Sequence, residues 1–107
     1  MITIEDVLKL DLRTAKILEA SRIEGSEKLI KLQLSLGEES RQIVAGIGKA
    51  YQPENLIGKT IIIIANLEPR DLMGEISNGM LLAATGQDGF PVLLVPDKSI
   101  ESGARIK

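Results

Sequence analysis

Histidine and cysteine are both missing from this 107-residue chain, and Tyr51 and Phe90 are its only aromatic side chains. Without histidine it lacks the usual neutral-pH acid/base and the commonest metal ligand. With cysteine gone as well, a zinc site would have to be built from carboxylates, and Cys–His or Ser–His nucleophiles are impossible. Lysine or carboxylate chemistry is still available, but no pair of these groups is spaced to suggest it. The chain therefore reads as a binding module with no cofactor, and not as an enzyme. No thiol means no disulfide framework, which suits a reducing cytosol. No apolar run approaches the roughly 18–20 residues that span a bilayer, and the acidic start Met1–Asp6 lacks the plan of a signal peptide, so no membrane partner and a cytoplasmic location are expected. Two rings are also too few for the aromatic platform on which single-stranded nucleic acids stack. Nucleic acid bound here would be recognised through its backbone and shape, as folded RNA is. Basic charge is not in excess: thirteen Lys and Arg against fifteen Asp and Glu give −2, so RNA binding would require the cations to be sorted onto one face.

What is present is a succession of short extended segments in a length that fits one domain, residues 1–107. Thr3 and Asp6 form a weak capping box before a short helix whose apolar residues Ile4, Val7 and Leu8 must bury against the body of the domain or a second subunit. Leu12–Ile23 is extended, with a parity change at Ile17-Leu18 that a bulge or sharp coil would produce. Ile30–Leu36 alternates cleanly, with Lys31, Gln33 and Ser35 on the wet face, and turns through Gly37–Glu39 into Arg41–Ala45. Pro53–Ile57 reads as one or two helical turns stopped by Gly58. Thr60–Ala65 is apolar on both faces and predicts a central buried strand. Met80–Thr85 pairs with Val92–Val95 across Gly86–Gly89, and a last strand is expected over Ala104–Lys107. This pattern predicts an all-β fold, a five-stranded Greek-key barrel of the OB type with short peripheral helices and extra C-terminal strands. A β-sandwich is the alternative.

Between two apolar strands lies the polar segment Asn66–Gly79, punctuated by proline and glycine, where ligand-facing side chains concentrate. Arg70, stiffened by Pro69, could hold a phosphate. Asn66 could donate to a phosphate and accept from a 2′-OH, or bond the backbone of its own loop. Ser77 could contact RNA or cap the turn. Met80 is either core or contact, and Gly74 and Gly79 permit positive φ. Arg41, placed beside the Lys31/Gln33/Ser35 face, could meet a phosphate or form an ion pair with Glu38 or Glu39. Lys28, in the preceding loop, is a candidate phosphate contact.

The segments Asp11–Ile17, Glu27–Leu29, Arg41–Ile47 and Asn66–Ala84 resemble, in order and across nearly the whole chain, the tRNA-binding domain family. Such domains are appended to bacterial and archaeal methionyl-tRNA synthetases and phenylalanyl synthetase β subunits, or occur as free-standing proteins. The opening Ile2–Asp6 and the ending Val95–Lys98 with Gly103–Lys107 are similar to the methionyl-synthetase C-terminal domain or separate β subunit. The resemblance implies an OB barrel, a homodimer, binding to the folded corner of tRNA with little sequence preference, no catalysis, and partnership with the catalytic part of the synthetase. A secretion-related relative of the same fold binds peptides, so a protein-binding chaperone is a second reading, and a purely structural dimeriser a third. The RNA contacts expected are Lys28, Lys31, Gln33, Arg41, Asn66, Arg70, Ser77 and Met80. Gln33 and Asp71 stand where relatives often carry basic residues, and Glu75 adds an acid. Each removes or opposes a phosphate contact, which predicts micromolar affinity, about 8 kcal/mol.

Overall fold

The computed structural model describes residues 1–107. Helix α1 (Ile4–Leu8) is followed by strands β1 (Leu12–Arg22), β2 (Ile30–Ser35), β3 (Ser40–Ala45), β4 (Thr60–Ile64), β5 (Arg70–Leu72), β6 (Glu75–Ser77), β7 (Met80–Leu81), β8 (Ala83–Thr85) and β9 (Pro91–Leu93), with a single 3₁₀ turn at Pro53–Asn55. Five strands form one antiparallel sheet in the order β3-β2-β1-β4-β7, curled into a half-barrel of the OB type, while β5-β6 and β8-β9 are separate hairpins.

The curl originates in β1. Its first half pairs with β4 and its second half with β2, and the register slips between Ile17 and Glu19. At that bulge both backbone groups of Ile17 turn to the segment before β4, the N–H donating to Lys59 O and the carbonyl accepting from Gly58 N. Leu18 is thereby turned out to solvent while Ile17 stays buried. An extra residue in one strand bends it and increases its twist, which is what a closing sheet requires.

Inside the curl lies a cluster that includes Ile17, Ile30, Leu32, Leu34, Ile43, Ile61 and Ile63, plugged by Leu56 behind the 3₁₀ turn. Each such side chain removed from water contributes about 1.5–3 kcal/mol. Tyr51 packs against this cluster and its hydroxyl accepts from Leu93 N, so one of the two aromatics is committed to holding β9.

The helical segment expected after Pro53 is present as one 3₁₀ turn, and Gly58 stops it at φ +89°. Two expectations need correction. The expected strand at Ala104–Lys107 is reduced to one bridge, Arg13 with Arg105, because this segment meets only the first few residues of β1. It is nevertheless firmly tied: the buried Thr14 hydroxyl donates to Glu101 O and accepts from Ala104 N, and Gly103 N donates to Thr14 O. Gly103 sits at φ +83°, and a Cβ there would lie 2.1 Å from Leu36 O, so no other residue fits. Finally, α1 does not cover the barrel: its capping box is present, yet none of its residues is buried.

Candidate nucleic-acid interface

The polar segment after β4 is not an irregular loop but a projecting hairpin. β5 and β6 pair as Arg70 with Ser77, Asp71 with Ile76 and Leu72 with Glu75, leaving Met73-Gly74 as a two-residue turn with φ +54° and +87°. Positive φ at both positions is the primed turn geometry that matches strand twist. Asp71 Oδ1 accepts from Gly74 N at 2.8 Å, so this acid builds the turn. Sequence gave no warning of the hairpin, because three-residue strands carry too little alternation and methionine is an uncommon residue at positive φ.

Three of the expected contact residues hold the base of this hairpin. Arg41 lies opposite Leu34 in the β2–β3 register, on the core-facing side of β3, and not beside Lys31 and Gln33 as its neighbourhood in sequence had implied. From the barrel rim its guanidinium donates to Ala65 O and Asn78 O, the two ends of the segment, and to the Glu39 carboxylate at 3.2 Å. The ion pair that competed with RNA for Arg41 is therefore formed. Asn66 accepts from Asp11 N at 2.9 Å and donates to Lys9 O at 2.7 Å, so its amide bonds the chain before β1 and not its own loop. Ser77 is 4% exposed, accepting from Val44 N at 2.9 Å and donating to Gly79 O at 3.1 Å. Its hydroxyl replaces a backbone rung where β3 meets the hairpin, beside Asn78 N→Gln42 O. Burial removes Ser77 from the surface. Gly79, at φ +129°, brings the chain against Ile64 O, where a Cβ would stand 2.7 Å away.

Lys31 and Gln33 do share the wet face of β2. Lys31 Nζ lies 3.5 Å from Glu75, and Gln33 donates to Gln42 Oε1 at 2.8 Å, with Gln42 in turn donating to Ile76 O. Gln42, which the sequence reading did not name as a contact, is set opposite Gln33 by the β2–β3 register.

The remaining candidates, Lys28, Arg70 and Met80, converge on one groove of about 480 Å³ between the β1–β2 loop, the end of β3, β5 and the β7–β8 strands. Its floor is apolar, with Val44, Ala45, Ile47 and Leu81 buried, and no carboxylate lines it. Neither Lys28 nor Arg70 has an ion-pair partner, whereas Lys9, Arg13, Lys31, Arg41 and Arg105 do. Lys28 reaches the groove by lying across Gly46, where a Cβ would meet its Cε at 2.8 Å. Met80 is half-exposed beside it and is not part of the buried core. A larger concavity of about 720 Å³ is flanked by Lys16, Lys59 and Lys98, but Asp97 and Glu101 share its wall.

Comparison with known proteins agrees with this architecture. The family model described as "Putative tRNA binding domain" matches residues 12–105. A methionine–tRNA ligase from Caldanaerobacter subterraneus subsp. tengcongensis is 64% identical over 98% of this chain, and one from Archaeoglobus fulgidus is 50% identical over 98%. The chain spans about 16% of the length of each of these ligases. Among solved structures, a MetRS related protein from Pyrococcus horikoshii superimposes with TM-score 0.94 at 34% identity, covering 100% of this chain and 98% of that one. The chaperone CsaA from Bacillus anthracis superimposes with TM-score 0.92 at 33% identity, covering 100% and 99%. The chain belongs to the tRNA-binding domain family.

Proposed function

We propose that this chain is a non-catalytic module that grips folded tRNA with little sequence preference and strengthens the hold of methionyl-tRNA synthetase on its substrate in the cytoplasm. The observation that carries this reading is the groove that gathers Lys28 and Arg70, both unpaired, with no acid in its lining. In a chain of net charge −2, such a local excess of cation attracts a polyanion. Lys31, Gln33 and Gln42 extend the surface along β2 and β3. Arg41, Asn66 and Ser77 act indirectly, by fixing the hairpin that carries Arg70. Glu75, by neutralising Lys31, weakens the contact, which keeps the affinity in the micromolar range.

Titration of total tRNA at several salt concentrations tests the proposal. Lys28→Ala and Arg70→Ala should each weaken binding and each reduce the slope of log K against log salt by about one. Binding that is absent at low salt, or that ignores salt, contradicts it.

A second reading, a protein-binding chaperone, is favoured by the apolar floor of the same groove and by the close superposition on CsaA. Protection of an unfolded client from aggregation, undiminished by competing tRNA, would select it.

A further inference from the structure

We infer that the groove between Lys28 and Arg70 seats one unstacked base of the bound RNA against an aliphatic wall, with the flanking phosphates on the two cations. This rests on the RNA-binding reading and adds a contact that the shortage of aromatics had seemed to exclude. A surface that met only phosphates would need cations and hydroxyls. This one instead has an apolar floor, with Leu72 half-buried and Met80 exposed at its edge. At about 480 Å³ it falls within the roughly 300–1,000 Å³ range of clefts that enclose small ligands. Folded RNA offers bases splayed out of its loops and bulges, whose faces are free to be covered once they are unstacked. An aliphatic wall with a thioether can cover such a face, and apolar area buried in this way is favourable whatever the base.

Charge selects the occupant. An apolar peptide would satisfy the floor but leave Lys28 and Arg70 without counter-charge, while a nucleotide has an apolar face and an anion on either side. Lys28 and Arg70 come from different walls, the β1–β2 loop and β5, so a chain crossing the groove passes both.

The test uses the full chain and two RNA hairpins that differ at one bulged position, adenosine in the first and an abasic ribose in the second. Their phosphates are identical. The bulged adenosine should tighten binding about fivefold, equivalent to about 1 kcal/mol at 25 °C. Met80→Ala should remove that difference while affecting the abasic RNA little, and Lys28→Ala should weaken both RNAs alike. Thermal unfolding of each variant confirms that the barrel is intact. Equal affinity for the two hairpins overturns the base contact alone, as does a Met80→Ala effect of the same size on both. Failure of both hairpins to bind at low salt overturns the RNA-binding reading as well.

Discussion

A guanidinium bonded to two carbonyls and a carboxylate is part of the framework, whereas an ammonium with no partner is available to a ligand. Arg41 and Lys28 therefore differ in role although they share a charge. Removing Arg41 leaves Ala65 O and Asn78 O without their donor at the rim of the barrel. Hydrogen bonds to charged groups contribute about 1.5–3 kcal/mol. Arg41→Ala should accordingly lower the unfolding free energy measured by urea titration by an amount in that range and weaken tRNA binding through disorder of the hairpin. Lys28→Ala should leave the unfolding free energy within about 0.5 kcal/mol of the parent. Equal stability of the two variants would show that Arg41 is a surface residue. The chemistry of Arg41 could be read from sequence, and so could its competing partner Glu39. The side of the strand on which it falls could not, because parity depends on the β2–β3 register and Gly37–Glu39 does not set that register unambiguously.

Elements held by few contacts depend on specific bonds, and the C-terminal segment is one. It adds a single bridge to β1, then relies on Thr14 and on Asp11, whose carboxylate accepts from Arg13 Nε at 2.8 Å and lies 3.9 Å from Arg105 Nε. The hydrogen bond from Arg13, with the charges of Arg13, Arg105 and Arg41, holds the Asp11 carboxyl below its ordinary value of 3.8, against the opposing effect of burial. A depressed folded-state value means that the stabilisation is fully present above about pH 4 and is lost as pH falls through the lower, folded value. Asp11→Asn should therefore cost up to about 1 kcal/mol at neutral pH. Its stability should also fall less steeply than the parent's below pH 4, and amide exchange at Ala104 and Ile106 should quicken. Parallel acid curves for the two proteins would remove Asp11 from this role. At this scale β2 was legible because Ile30, Leu32, Leu34 and Leu36 alternate with polar residues, and the β1 bulge because Leu18 breaks parity. The β5–β6 hairpin was hidden by its length, and the C-terminal pairing by being a tertiary contact with β1.

Across the whole molecule, uncovered apolar surface includes Ile4, Val7 and Leu8 of α1 with Ile2 and Leu10 beside them, and Val92, Leu94, Val95 and Ile100 toward the C-terminus. Exposed apolar residues in contiguous stretches mark interaction surfaces more often than isolated ones do. A five-residue helix with no buried residue is also far below the length at which isolated helices persist in water. Packing against a second copy would supply the missing burial, so a homodimer is the arrangement proposed. Dimerisation would place two Lys28/Arg70 grooves in one particle, and linked sites gain avidity without any new contact. Leu8→Glu separates the possibilities. In a monomer the exposed Leu8 can be exchanged at a cost within about 0.5 kcal/mol, and tRNA affinity should not move. In the dimer the carboxylate is forced into an apolar interface. The parent should then sediment at twice its 11.6 kDa mass with a melting temperature that rises with concentration. The variant should sediment as a single chain and bind tRNA at least tenfold more weakly. A variant that still sediments as a pair would place the interface away from α1.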